Sequence, residues 1–106
     1  MSYRAVTMLT FTDQHNRLSE QEQEAEQVAA IEDVIRNGGE LGDVFVLPHE
    51  KTAVVIATYP DEESSIKAHL QIQLRGNYDL TPHRAFLLDE WTKLADEARS
   101  SALVSV

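Results

Sequence analysis

Cysteine is absent from the 106-residue chain, which excludes a disulfide framework, a thiolate metal site and a cysteine nucleophile. Basic residues are few: nine Lys and Arg stand against eighteen Asp and Glu, for a formal net charge of −9. Nucleic-acid phosphates and anionic membrane surfaces are both bound through clustered Lys and Arg. We therefore expect neither nucleic acid nor a membrane as a partner.

Long hydrophobic runs are also missing, and none approaches the ~20 apolar residues of a membrane-spanning helix. The N-terminal residues MSYRAVTMLTFT lack the apolar core and cleavage site of a signal peptide, so we expect a cytoplasmic protein. Apolar residues make up 42% of the chain, which is enough for one core. This length predicts a single domain over residues 1–106.

The clearest local pattern lies between Gly38 and Asp61. Two apolar runs rich in β-branched and aromatic residues, Val44–Leu47 and Ala53–Ala57, are separated by a short polar segment and lie in the predicted strands Glu40–Leu47 and Thr52–Tyr59. Such runs bounded by turn residues predict a β-hairpin.

A helix is predicted on each side of this hairpin. Ser19 and Glu22 match a capping box that opens a helix over Glu20–Asn37, and Asp61 caps a second helix that ends at Gly76. Apolar residues at helical spacing predict the buried stripes. In the first helix these are Ala25, Val28, Ile31 (or Ala29) and Ile35, and in the second Ile66, Leu70 and Leu74. Truncating Ile35 to Ala is expected to cost roughly 2–5 kcal/mol.

The first strand is predicted at Tyr3–Thr12 and the last at Tyr78–Leu88, or only from Pro82 or His83 onwards, and Asp89 begins a short final helix. The order β-α-β-β-α-β predicts an α+β, ferredoxin-like fold, with a four-stranded antiparallel sheet in the order 4-1-3-2 and both helices on one face. Strands one and three carry apolar residues on both sides. Because a bare apolar face usually marks an interface, we expect a homodimer that packs sheet against sheet.

Four short motifs, in this order and spacing, resemble the GYD domain family from the first strand to the start of the last helix. They are Phe11-Thr12-Asp13-Gln14, Gly38-Gly39-Glu40-Leu41, Val54-Val55-Ile56 followed by Pro60-Asp61-Glu62-Glu63, and Arg84-Ala85-Phe86. The resemblance implies a dimeric α/β barrel of uncharacterised function. Structural relatives of that family include cofactor-free monooxygenases, lactone isomerases, polyketide cyclases and stress-induced barrel proteins.

A candidate site is predicted at one end of the sheet. We expect strand four to lie antiparallel and strand three parallel beside strand one, so that the ends of strands one and three meet the start of strand four. Both helices are expected to begin there, where their positive dipole ends favour a carboxylate or enolate ligand. His83 and Asp13 are the candidate catalytic pair for proton transfer. The candidate ligand-binding residues are Thr12, His15, Tyr59 and Tyr78.

The other two histidines, His49 and His69, are expected to be solvated. None of the four histidines has a partner at H-x-H or H-x-x-x-H spacing, so we predict no metal site. No P-loop or G-x-G-x-x-G motif is present, so we predict no cofactor. Three function classes follow. The first is a protein that binds a small organic molecule without catalysis. The second is a cofactor-free monooxygenase, isomerase or cyclase that uses His83 or His15 with Asp13. The third is an assembly or interaction protein, which a fully packed interior would favour.

Overall fold

A computed structural model describes residues 2–104 and their side chains as far as residue 102. Within that range the predicted order of elements is confirmed, with one helical turn added after the first strand. That turn forms because the Thr12 side chain accepts the backbone N–H of His15. The elements are β1 (Tyr3–Phe11), α1 (Asp13–Asn16), α2 (Glu20–Arg36), β2 (Glu40–Leu47), β3 (Thr52–Tyr59), α3 (Glu62–Leu74), β4 (Tyr78–Ala85) and α4 (Leu88–Val104).

The sheet has the order β2-β3-β1-β4, which confirms the predicted arrangement. The predicted parallel pairing of β1 and β3 is wrong, because these strands run antiparallel. The helix α2 returns the chain so that β2 runs in the direction of β1, and the hairpin then reverses β3. As a result Tyr59, at the end of β3, lies opposite Tyr3 at the start of β1.

The two faces of the sheet differ in what covers them. On β1, Ala5, Thr7 and Leu9 are buried beneath the helices. Val6 and Met8 alternate with them and lie on the other face, which we call the open face. The partners of Val6 and Met8 in β3 are Ile56 and Val54, so the centre of the open face is apolar.

The predicted apolar stripe of α3 is turned outwards, and so is most of the stripe of α2. Ile35 is 61% exposed and Leu74 is 84% exposed, so their predicted burial is wrong, whereas Ile31 is half-buried on the inner side of α2. Most of the buried residues are instead polar or small, and Val34 and Ile72 are the larger apolar ones. The buried set is Glu26, Asp33 and Val34 in α2, and Ser65, Ala68, His69 and Ile72 in α3. Arg75, the C-cap of α3, pairs with Glu26 and Asp33 of α2, and these ion pairs hold the two helices in this orientation.

The C-terminal helix is longer than predicted, with 17 residues. No Gly or Pro follows Arg99 to end it. At its start, Glu90 accepts hydrogen bonds from the Leu87 backbone at 2.7 Å and from Arg4 at 3.0 Å. The apolar side chains of Leu88 and Trp91 in this helix are largely exposed. The molecule as a whole is elongated and measures 61 × 30 × 20 Å.

Candidate functional site

A cleft of about 380 Å³ lies between α2 and the helix-covered face of the sheet. We call it the sheet–helix cleft. Ala53 and Ala57 contribute to its floor, and Ala30 of α2 lies on the facing wall. These short side chains leave space that larger residues would fill. The volume falls within the ~300–1,000 Å³ typical of small-molecule pockets.

A buried polar pair lines one end of the cleft. His69 Nε2 and Thr7 Oγ1 are joined by a hydrogen bond of 2.7 Å, and His69 Nδ1 lies 3.3 Å from Ser65 Oγ. The rings of Tyr59 and His69 are 6.0 Å apart. Burial lowers the pKa of His69 below its ordinary value and raises the pKa of Tyr59 to about 12. Near neutral pH this end of the cleft is therefore polar but uncharged.

An aromatic cluster lines the other end, where β1 finishes. The His15 ring stacks on Phe11 at a centroid distance of 4.5 Å, and the Tyr78 ring lies 5.3 Å from His15. Thr12 holds this turn in place, since it caps α1 and its hydroxyl donates to the Gly76 carbonyl at 2.8 Å. The buried Nδ1 of His15 has no hydrogen-bond partner among the described residues.

An ion-pair network locks α2 to α3 behind this cluster. Arg75 Nε donates to both carboxylate oxygens of Glu26 at 2.9 and 3.0 Å, and Arg75 Nη1 donates to Asp33 at 2.5 Å. Burial alone would lower the pKa of Arg75, but the hydrogen bonds and charges of Glu26 and Asp33 outweigh it and raise that pKa. Burial, and secondarily the charge of Glu26, also raise the pKa of Tyr78.

Three of the predicted site residues, His15, Tyr59 and Tyr78, line the cleft. Tyr59 reaches it at the opposite end from the other two, because β3 is antiparallel to β1. Thr12 contributes the cap of α1 and is not a wall residue.

The predicted catalytic pair is not brought together with these residues. His83 is exposed and lies opposite Val6, which places it on the open face. Asp13 is exposed in the first turn of α1. The shared pocket expected for His83 and Tyr59 is therefore wrong, because the register of β4 on β1 turns His83 away from the helices.

Thr7 and His69 are polar cleft residues that were not predicted from the sequence, and the expected solvation of His69 is wrong. Two signals in the sequence point to them. Thr7 shares the side of β1 that carries Ala5 and Leu9, and His69 lies one helical turn after Ser65 on the side that carries Ala68 and Ile72.

The described residues provide neither a metal-binding cluster nor a membrane-spanning helix. No group of three or more His, Asp or Glu residues in positions 2–104 is arranged to hold a metal ion. Over the same positions, no helix combines the length and apolar content that crossing a bilayer requires.

Comparisons with known proteins define the fold and leave the family open. No protein-family model matches the chain, and no curated protein matches it. Among solved structures, the chain is similar to 30S ribosomal protein S6 from Thermotoga maritima, with a TM-score of 0.62 and 14% sequence identity. The match covers 91% of this chain and 99% of S6. At this identity the likeness shows a shared fold, and the chain is an α+β protein with a ferredoxin-like arrangement.

Proposed function

We propose that this protein binds a small organic molecule in the sheet–helix cleft. The observation that supports the proposal is an apolar cleft of about 380 Å³ with buried hydrogen-bonding groups at both ends. Concave apolar sites with a few placed polar groups are the usual form of small-molecule pockets. The role of S6 in the ribosome is not carried over, because the net charge of −9 opposes contacts with nucleic-acid phosphates.

The uncharged fluorescent probe N-phenyl-1-naphthylamine tests this proposal. We expect its emission to rise and saturate with the wild-type protein. Ala53→Leu places a larger side chain in the floor of the cleft and should abolish the saturable signal. Ala25→Leu is the matched control, because Ala25 is exposed on α2 and does not line the cleft. Equal probe binding by the two variants contradicts the proposal.

Proton transfer is a second candidate function, and the position of His69 favours it. An imidazole kept neutral by burial can accept a proton from an acidic C–H bond of a bound molecule. The uncharged ketone 2-tetralone in D₂O is a suitable probe, with deuterium exchange at its α-carbon followed by NMR. Exchange should be faster with wild type than with His69→Gln, and equal rates exclude this activity.

We also propose that the open face is a homodimer interface, in keeping with the GYD resemblance. Val6, Met8, Val54 and Ile56 form its centre, and Phe45 of β2, opposite Val54, extends it with a half-exposed ring. Stable dimers often bury ~2,000 Å² or more. Sedimentation equilibrium at micromolar concentration should show a dimer that Ile56→Lys dissociates. A monomeric wild type under these conditions contradicts the interface.

A further inference from the structure

We propose that the sheet–helix cleft selects uncharged aromatic molecules that carry a hydroxyl group and rejects carboxylates of the same shape. This inference rests on the proposed binding function and adds the chemical class of the ligand. It departs from the carboxylate or enolate that the sequence favours.

The charges around the cleft oppose an anion. Among residues 2–104, no Lys or Arg lines it, whereas Glu20 and Glu24 of α2 do. The positive charge of Arg75 acts on Tyr78 and partly offsets the rise in the pKa of Tyr78 that burial and Glu26 cause. Arg75 is nevertheless already paired with Glu26 and Asp33, so it is not available to a ligand carboxylate. A carboxylate that entered would lose its hydration without gaining a partner of opposite charge, which is unfavourable in an apolar site.

The helix dipoles do not compensate for this charge. Because β1 and β3 are antiparallel, only α2 begins near the end of β1, and α3 begins at the opposite end of the sheet. At the start of α2, Ser19 and Glu22 form a complete capping box. Glu20 and Glu22 also place negative charge in the first turn, so the positive end of the dipole is already neutralised.

The walls favour an aromatic ring. Phe11, His15 and Tyr78 form an aromatic cluster at one end, and Tyr59 and His69 pair at the other. Thr7 and Phe11 of β1 lie at these two ends. They are four residues apart in a strand, so the two ends of the cleft are separated by roughly 13 Å. Aromatic rings pack against one another in offset or tilted arrangements, so a flat ring system over the apolar floor matches the cleft in shape and surface.

The unpartnered nitrogen of His15 is the reason for proposing a hydroxyl group on the ligand. His15 is buried, yet its Nδ1 has no hydrogen-bond partner among the described residues. A buried polar atom without a partner is unfavourable. His15 lines the cleft, and once its ring turns Nδ1 towards the cleft, a ligand hydroxyl, which both donates and accepts, can satisfy this nitrogen in either tautomer.

Three naphthalene probes of similar shape test the ligand class: 2-naphthol, 2-naphthoate and naphthalene. Their dissociation constants are measured by displacement of N-phenyl-1-naphthylamine at neutral pH. We expect 2-naphthol to bind at least about tenfold more tightly than 2-naphthoate. His15→Phe keeps an aromatic ring at this position but removes the nitrogens. It should weaken the binding of 2-naphthol several-fold and leave the binding of naphthalene unchanged. His49→Phe, in the exposed hairpin loop, is the matched control.

Gln27→Lys is the second variant and keeps the test decisive if His15→Phe does not fold. Gln27 is an exposed residue of the cleft wall, and a lysine there should tighten 2-naphthoate selectively. Equal affinity of the wild type for 2-naphthol and 2-naphthoate, or no effect of Gln27→Lys on 2-naphthoate, overturns the ligand class while the binding function stands. Absence of saturable N-phenyl-1-naphthylamine binding overturns the binding function itself.

Discussion

Arg75 is a residue whose replacement the structure predicts to be strongly destabilising. Its guanidinium holds two carboxylates whose side chains are only 6% (Glu26) and 4% (Asp33) exposed. Arg75→Met keeps most of the aliphatic stem but leaves both charges without this partner. Removing one member of a buried ion pair typically costs 3–5 kcal/mol, because an uncompensated charge stays buried.

The low end of this range applies here, for two structural reasons. The Arg75 side chain is 32% exposed, so water already screens part of the interaction. Asp33 also keeps a second partner, since Arg36 donates to it at 2.7 Å. We therefore expect Arg75→Met to lower the free energy of unfolding by about 3 kcal/mol.

Equilibrium unfolding in urea, followed by far-ultraviolet circular dichroism, measures this loss. The protein concentration is held fixed, because a dimer would make stability depend on it. Arg99→Met is the matched control: Arg99 pairs with Asp96 on the exposed surface of α4, and such pairs contribute ~0–1 kcal/mol. Glu26→Gln in the Arg75→Met background should recover part of the loss, since it removes a buried charge. An Arg75→Met protein as stable as Arg99→Met would refute the argument.

Three further predictions concern the core and the cleft. Ile72→Ala should cost roughly 2–5 kcal/mol of unfolding free energy, because Ile72 is buried. Ile35 is exposed, so Ile35→Ala should change that free energy by less than about 0.5 kcal/mol. Similar urea midpoints for the two variants would contradict the assigned helix faces. Thr7→Val removes the hydroxyl bonded to His69 and should cost about 1–3 kcal/mol. Thr92→Val, on the exposed surface of α4, is the control, and equal losses for these two variants would exclude a stabilising role of that bond. Burial lowers the pKa of His69 in the folded state, so just below the ordinary histidine pKa of about 6.5 the unfolded chain binds a proton that the folded chain does not. Stability should therefore fall as the pH drops through this value, and urea midpoints of His69→Gln that fall as steeply as those of wild type would contradict this assignment.

The order of the elements could be read from the sequence because the signals for it are local. The capping box at Ser19 and Glu22 forms as expected. Asp61 caps α3 through the Ser64 backbone N–H, and Gly38 and Gly76 both adopt the left-handed conformation, with φ of 76° and 78°. Each of these features depends on residues a few positions apart, so no knowledge of distant parts of the chain is needed.

Only the tertiary structure decided which side of each helix and strand is buried. Apolar spacing in α3 favoured Ile66, Leu70 and Leu74 as the buried side, yet Ala68, His69 and Ile72 face the sheet. The difference arises because His69 bonds to Thr7, and Arg75 bonds to Glu26 and Asp33. These partners lie 42 to 62 positions apart in the chain.

The candidate site could be predicted only in part, because the sequence does not show which side of a strand faces the helices. From the sequence, His15, Tyr59 and Tyr78 could be selected as polar or aromatic residues near strand ends, and all three line the cleft. His83 could not be assigned to a face, since strand alternation gives the spacing between equivalent positions but not which side meets the helices. The pairing of β4 with β1 decides that choice, and it places His83 opposite Val6 on the open face while Tyr78 lies opposite Phe11 beside the cleft.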